Sequence, residues 1–353
     1  MTKPHLQLAQ ETIHLLAGKP GVSGYEYKLF PSLEQTFKPL VDDIYTDNMH
    51  NCYAVKNGYA SNNQTVMLAA HSDEIGLMVT HIDSKGFIHF SPIGGIDDRT
   101  LLYQEVTVHG SRDLPGIISF QPDQTKSDKK KSVKLHQMAI DIGHSSEEAQ
   151  SLVKPGDIVS INRATLDLLD QTIAGKSLDN RAGITVMAVC LSELNSIKHK
   201  HNVIAVTTVQ EEVGLRGAQT STEKLNPTIA VAIDVTHAQT IDAKNQVSIH
   251  LGKGPAITIG PNIHPTMHAL LTACAQDNNL PYQVQAVAGP TGTDARIIQL
   301  SSFGIPTGLL SIPLRYMHTS VETVSLKDVV SCGKLLARFI AALPDDLEDI
   351  SCS

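Results

Sequence analysis

Residues 65–73 read TVMLAAHSD, a short apolar run that breaks abruptly into a histidine and an aspartate. Such a run predicts a strand buried on both faces, as at the centre of an α/β sheet. Three later segments repeat the pattern. VIAVTTVQ (203–210) runs into Glu211 and Glu212, TIAVAI (228–233) into Asp234, and PTGLLSIPLRYM (306–317) into His318. Ligands of open α/β sheets lie beyond the carboxyl ends of the strands, so these groups are expected to meet in one crevice.

Outward from these strands the chain alternates. Amphipathic patterns predict helices over Leu6–Ala17, closed by the breaker GKPG (18–21), and over Tyr25–Phe37, Arg181–Leu194, Thr266–Asp277 and Leu326–Ala342. A further strand is expected at Asn51–Lys56. Strands alternating with helices imply a mainly parallel sheet flanked by helices. Between Gly76 and Asn162 the texture changes to short strand-like pieces separated by turn signals, the mark of a small all-β unit, sandwich or barrel. The expected organisation is an α/β body, residues 1–73 and 164–353, interrupted by a β insertion, residues 74–163. No internal repeat is present. The basic run KSDKKKSVK (126–134) inside the insertion reads as a solvated loop.

Composition narrows the function. The chain has 353 residues and a formal charge of −8, which argues against an electrostatic grip on nucleic acid or an anionic membrane. Trp is absent, leaving little to stack on bases or sugars. Five cysteines, odd in number and without a CxxC pair, argue for reduced thiols and a cytoplasmic setting. No secretory leader, membrane span or prenylation signal is expected.

Two histidines and several carboxylates without cysteine form a ligand set suited to Zn²⁺, Co²⁺ or Mn²⁺. Each residue alone has a bland rival: Asp179, in KSLDNRAG (176–183), also suits the cap of the helix after it. Glu211 and Glu212 end a buried strand, where two unpaired carboxylates are costly without a cation. Thr291, Gly292 and Thr293, in GPTGTDA (289–295), and Gly308 are candidates for shaping a substrate pocket, with a purely structural turn as the equal alternative.

The segments PGVSGYE (20–26), AAHSDEIGLMV (69–79), KSLDNRAG (176–183), VQEEVGLRGA (209–218), AIDVTHA (232–238), GPTGTDA (289–295) and RYMHTSVE (315–322) resemble the M42 family of metallo-aminopeptidases. Their order and spacing hold from about residue 20 to 340. The resemblance implies a zinc-peptidase-like body holding two divalent ions per subunit, zinc or cobalt foremost and manganese as the further option. His71 and Asp234 would hold one ion, Glu212 and His318 the other, and Asp179 would bridge them. Glu211 would be the general base and Asp73 the partner that orients His71. Which glutamate is base and which is ligand rests on the family pattern, not on spacing.

The resemblance also implies a cis Asp179–Asn180 bond, short peptides with a free N-terminus as substrates, and self-association. The insertion would make dimers, and the dimers a hollow tetrahedral dodecamer. Three other functions compete. A metal-dependent deacylase needs the same core chemistry; a glucanase, a label some family members carry, has no use for two strand-end histidines. An idle scaffold would have no reason to keep every expected site residue. Side-chain preference is not legible.

Overall fold

The computed structural model describes residues 3–60, 64–120, 133–240 and 249–351. Strands Thr65–His71, Asn202–Thr208, Ile229–His237 and Thr307–Arg315 lie side by side, all parallel, at the centre of one large sheet. Alternation along Thr65–His71 serves two cores. Val66, Leu68 and Ala70 pack on one face with Ile13, Leu16, Met187 and Leu336; Met67 and Ala69 pack on the other with Tyr53, Ala218 and Leu309. Burial on both faces is why the run carries no polar residue between Thr65 and His71. Helices Leu178–Leu194 and Leu326–Ala342 cross closely on the first face, where a Cβ on Gly333 would lie 2.6 Å from Val189.

The sheet is mixed rather than mainly parallel. Asp43–Thr46 and Cys52–Lys56 pair antiparallel on one flank, and Leu166–Leu168, Thr172–Gly175 and Glu322–Ser325 on the other. Three of these pairs, Asp43–Thr46 with Cys52–Lys56, Leu166–Leu168 with Thr172–Gly175, and Thr307–Arg315 with Glu322–Ser325, are joined by connections too short for the crossover a parallel pair needs. Two boundaries also moved. Pro31, without an N–H, opens a separate helix Phe30–Phe37 after a 3₁₀ turn at Glu26–Leu29. The strand expected at 228–233 continues to His237 because its whole length pairs with Thr307–Arg315, so Asp234 sits within it, opposite Ser311.

Six strands, Gly76–Ile82, Ile88–Ile93, Glu105–His109, Asp113–Phe120, Met138–Asp141 and Ile158–Ile161, close into a barrel around its own apolar core, including Leu77, Val108, Ile118 and Ile140. A short helix, Ser146–Leu152, lies in the same stretch. Most of the basic run 126–134 falls outside the described residues. Cys52, Cys190, Cys274 and Cys332 are buried free thiols, and no helix among the described residues is long and apolar enough to cross a membrane.

Candidate metal centre

At the carboxyl end of the central strands the expected groups come together. His71 closes its strand, and its Nε2 lies 3.0 Å from Asp179 Oδ1 and 3.8 Å from Asp234 Oδ1. The other oxygen of Asp179, Oδ2, lies 3.4 Å from His318 Nε2, which in turn is 3.3 Å from Glu212 Oε1. Two groups of side chains therefore share one carboxylate. One ligand-type atom each from His71, Asp179 and Glu212 lies within 4.8 Å of the other two.

Local backbone explains the placement. Asp179 begins helix Leu178–Leu194 with non-helical dihedrals, and its bond to Asn180 is cis. The Asn180 side chain ties this turn to the sheet by donating to the Ile233 carbonyl at 2.8 Å. His318 follows its strand with φ of 60°, and its Nδ1 lies 2.7 Å from the carbonyl of Gly95, in the loop after the second barrel strand. With Nδ1 donating there, Nε2 is turned toward Asp179 and Glu212; it carries a proton between them in the cation-free protein and would offer its lone pair to a cation that displaces that proton.

Asp73 is a hub. Its carboxylate accepts from Ser23 Oγ at 2.7 Å and from the amides of Glu211 at 3.0 Å and Glu212 at 3.1 Å, and lies 3.4 Å from His71 Nδ1. His71 Nδ1 also lies 3.2 Å from the Asp73 backbone carbonyl, so one buried residue orients the histidine through main chain and side chain and fixes the turn carrying both glutamates.

The electrostatics are those of a cation site. Burial pushes the Glu211 carboxyl up to about 10; His71 pulls against this, and Asp234, Asp294 and Glu212 add to it. Burial and the charge of Asp179 likewise hold Asp234 far above the usual carboxylate range. His318, hydrogen-bonded to Asp179 and Glu212, is pushed up to about 11. Burial disfavours a charged His71, yet Glu211, Asp179 and Asp73 outweigh it and raise its pKa. In the absence of metal the cluster is balanced by protons, which divalent cations would displace. The residues present fit such ions in number, type and spacing.

The pocket residues are less uniform. Thr291 is buried, accepting from Asn262 Nδ2 at 2.9 Å and lying 3.0 Å from Thr293 Oγ1, while Gly292 is open to solvent. Gly308 stands apart: a Cβ there would meet Leu271 at 2.9 Å, so the glycine lets its strand approach helix Pro265–Asp277.

Sequence reasoning missed several contributors. Asp294, in GPTGTDA, is buried, accepts from Thr208 Oγ1 at 2.5 Å, and is pushed up to about 6 by burial. Glu26 accepts from the amides of Gly24 and Gln210, each at 2.9 Å, just before the two glutamates. Glu74 is buried against Lys176 and Ser177 and also accepts from Gly21 N at 2.9 Å. Glu322 accepts from two amides of the site. All lie in the quoted motifs, and only that membership marked them.

Imidazoles and carboxylates gathered at the strand ends of an α/β body are the ligand types of a metal-dependent hydrolase. The particular family follows from comparison: a model of the M42 glutamyl aminopeptidase family matches residues 50–335, and the chain belongs to that family. The lysyl aminopeptidase of Pyrococcus furiosus is 34% identical over 342 residues, 94% of this chain and 97% of the relative. The aminopeptidase APDkam598 of the archaeon Desulfurococcus kamchatkensis superposes with a TM-score of 0.91 at 36% identity, covering 99% of this chain and 98% of that one. The TET1 peptidase of Pyrococcus horikoshii, which can assemble into a tetrahedron or a large octahedral shell, superposes with a TM-score of 0.83 at 30% identity, covering 95% and 100%. The chain is an enzyme, a peptidase of the aminopeptidase class, and its family implies divalent metal ions.

Proposed function

We propose that the protein is a dinuclear metal-dependent aminopeptidase that removes N-terminal residues from short peptides. The observation carrying this reading is Asp179, whose two oxygens face different imidazoles, His71 and His318. His71 and Asp234 would hold one ion and Glu212 and His318 the other, with Asp179 a ligand to both. When bound, the ions would polarise the scissile carbonyl and make a water between them acidic.

Glu211 acts as the base. Its carboxylate, whose proton affinity in the cation-free pocket is raised by burial and then by neighbouring carboxylates, takes a proton from the attacking water and returns it to the leaving amine nitrogen. The surrounding carboxylates recognise the α-ammonium of the substrate, the feature that separates an exopeptidase from a deacylase. Thr291, Gly292 and Thr293 are assigned to the wall of the substrate pocket; the facing of Gly308 toward Leu271 favours a packing role for it.

Glu211→Gln separates the roles of the two glutamates. Turnover should fall by about 10²–10⁴ with metal content unchanged; loss of metal as well would make Glu211 a ligand.

The division into a body, 1–73 and 164–353, and an inserted dimerisation unit, 74–163, is supported by the separate core of the barrel. The exposed barrel residues Tyr103 and Ile117 provide apolar surface for a second copy. Assembly beyond the dimer draws support from the TET1 relative. Sedimentation should show a dimer or a multiple of it, and a monomer at micromolar concentration would contradict this part. A cytoplasmic setting accords with the free thiols.

A further inference from the structure

Glu322 is the first residue of strand Glu322–Ser325 and is 2% exposed. That strand pairs on one side with Thr172–Gly175, where Glu322 sits opposite Gly175, and on the other with the end of Thr307–Arg315. The pairing puts the Glu322 side chain between two segments distant in sequence, the turn leading into Asp179 and the loop carrying His318. Its two oxygens divide between them. Oε2 accepts the Asp179 amide at 3.0 Å, and Oε1 accepts the His318 amide at 2.9 Å.

Among the described residues Glu322 makes no ion pair. The nearby Lys176 ammonium is taken up by Glu74, by Ser177 Oγ at 3.1 Å and by the Lys19 carbonyl at 3.3 Å. Burying a carboxyl group is costly, and both oxygens of this one are committed to backbone amides. The two residues so bracketed are those whose side chains face each other at 3.4 Å across the cluster. Capping the helix Leu178–Leu194 needs only the bond to Asp179. The bond to His318 has no part in that helix. Residue type fits the task as well: a carboxyl group carries two acceptor oxygens, one for each amide, where an amide side chain carries one.

We propose that Glu322 is a positioning residue, a two-oxygen bracket that sets the spacing of Asp179 and His318 before any metal arrives. It rests on the metal-centre reading above and goes beyond it by making the ligand spacing depend on a residue that touches no ion. Glutamine at 322 can accept from one amide only and turns its NH₂ toward the other. The bracket then opens on one side.

The test compares the parent protein with Glu322→Gln in three measurements: Co²⁺ affinity by competition with a chromophoric chelator, the visible spectrum of bound Co²⁺, and the thermal midpoint of the metal-free form. Expected are a 10–100-fold loss of cobalt affinity and an altered spectrum. A variant with a lowered midpoint but parental affinity, within twofold, and a parental spectrum would make Glu322 a helix cap and overturn the proposal. A parent that binds no cobalt would overturn the metal-centre reading itself, and the proposal with it. Should Glu322→Gln fail to fold, hydrogen exchange on the metal-free parent decides. The bracket predicts at least 10³-fold protection of both the Asp179 and the His318 amides, with no further gain on cobalt addition; exchange at either within tenfold of the free-peptide rate would overturn it.

Discussion

The site is set by a few carboxylates that do different work through the same chemistry. Asp73 never needs to touch a metal to matter: it holds His71 and the amides of both glutamates. Asn at this position keeps one acceptor oxygen and presents a donor to donors. Asp73→Asn should therefore lower metal affinity by about 10–100-fold, read by chelator competition; an unchanged affinity would reduce Asp73 to packing. His71, Glu212, Asp234 and His318 were legible because each interrupts or ends a buried apolar run, where an ionisable group is conspicuous. Asp294, Glu26 and Glu322 were not. Glu26 and Glu322 accept backbone amides, and Asp294 the Thr208 hydroxyl, all brought near by the fold, and no spacing records which donor a carboxylate will meet.

Elements were read well where one face or both is apolar over its whole length. Helix Leu326–Ala342 keeps its expected bounds, for Ser325 caps its start and Pro344 follows its end. Of the antiparallel flanks only Cys52–Lys56 was expected, within Asn51–Lys56; short exposed strands such as Asp43–Thr46 and Leu166–Leu168 carry little periodicity and were not legible. This closing helix also carries a testable titration. In its first turn Asp328 accepts from Gly252 N at 2.6 Å and Gly254 N at 2.7 Å, and burial pushes its carboxyl from 3.8 to about 6. The folded state thus binds this proton more tightly than the unfolded one. Its contribution to stability is greatest below pH 4 and falls by ~3 kcal/mol as pH rises to about 6, staying flat above. Asp328→Asn has no such titration. Denaturation of both proteins across pH 4–7 should show the parent losing stability relative to the variant over that window, and a constant difference would contradict the shift.

At the scale of the molecule, four parallel strands and the barrel do separate jobs that meet at the metal centre. The sheet brings His71, the two glutamates, Asp234 and His318 to one edge, and the Gly95 carbonyl, from the loop after the second barrel strand, fixes the tautomer of His318. The formal charge of −8 also takes on a different meaning, because part of it belongs to carboxylates that divalent ions would neutralise. The most direct test of the account is hydrolysis of a panel of aminoacyl-p-nitroanilides by protein stripped of metal and then supplied with Zn²⁺, Co²⁺ or Mn²⁺, with an N-acetylated form of the best substrate alongside. The account predicts no release without metal, release with it, and none from the acetylated form. Release that ignores metal, or that survives acetylation, would contradict it.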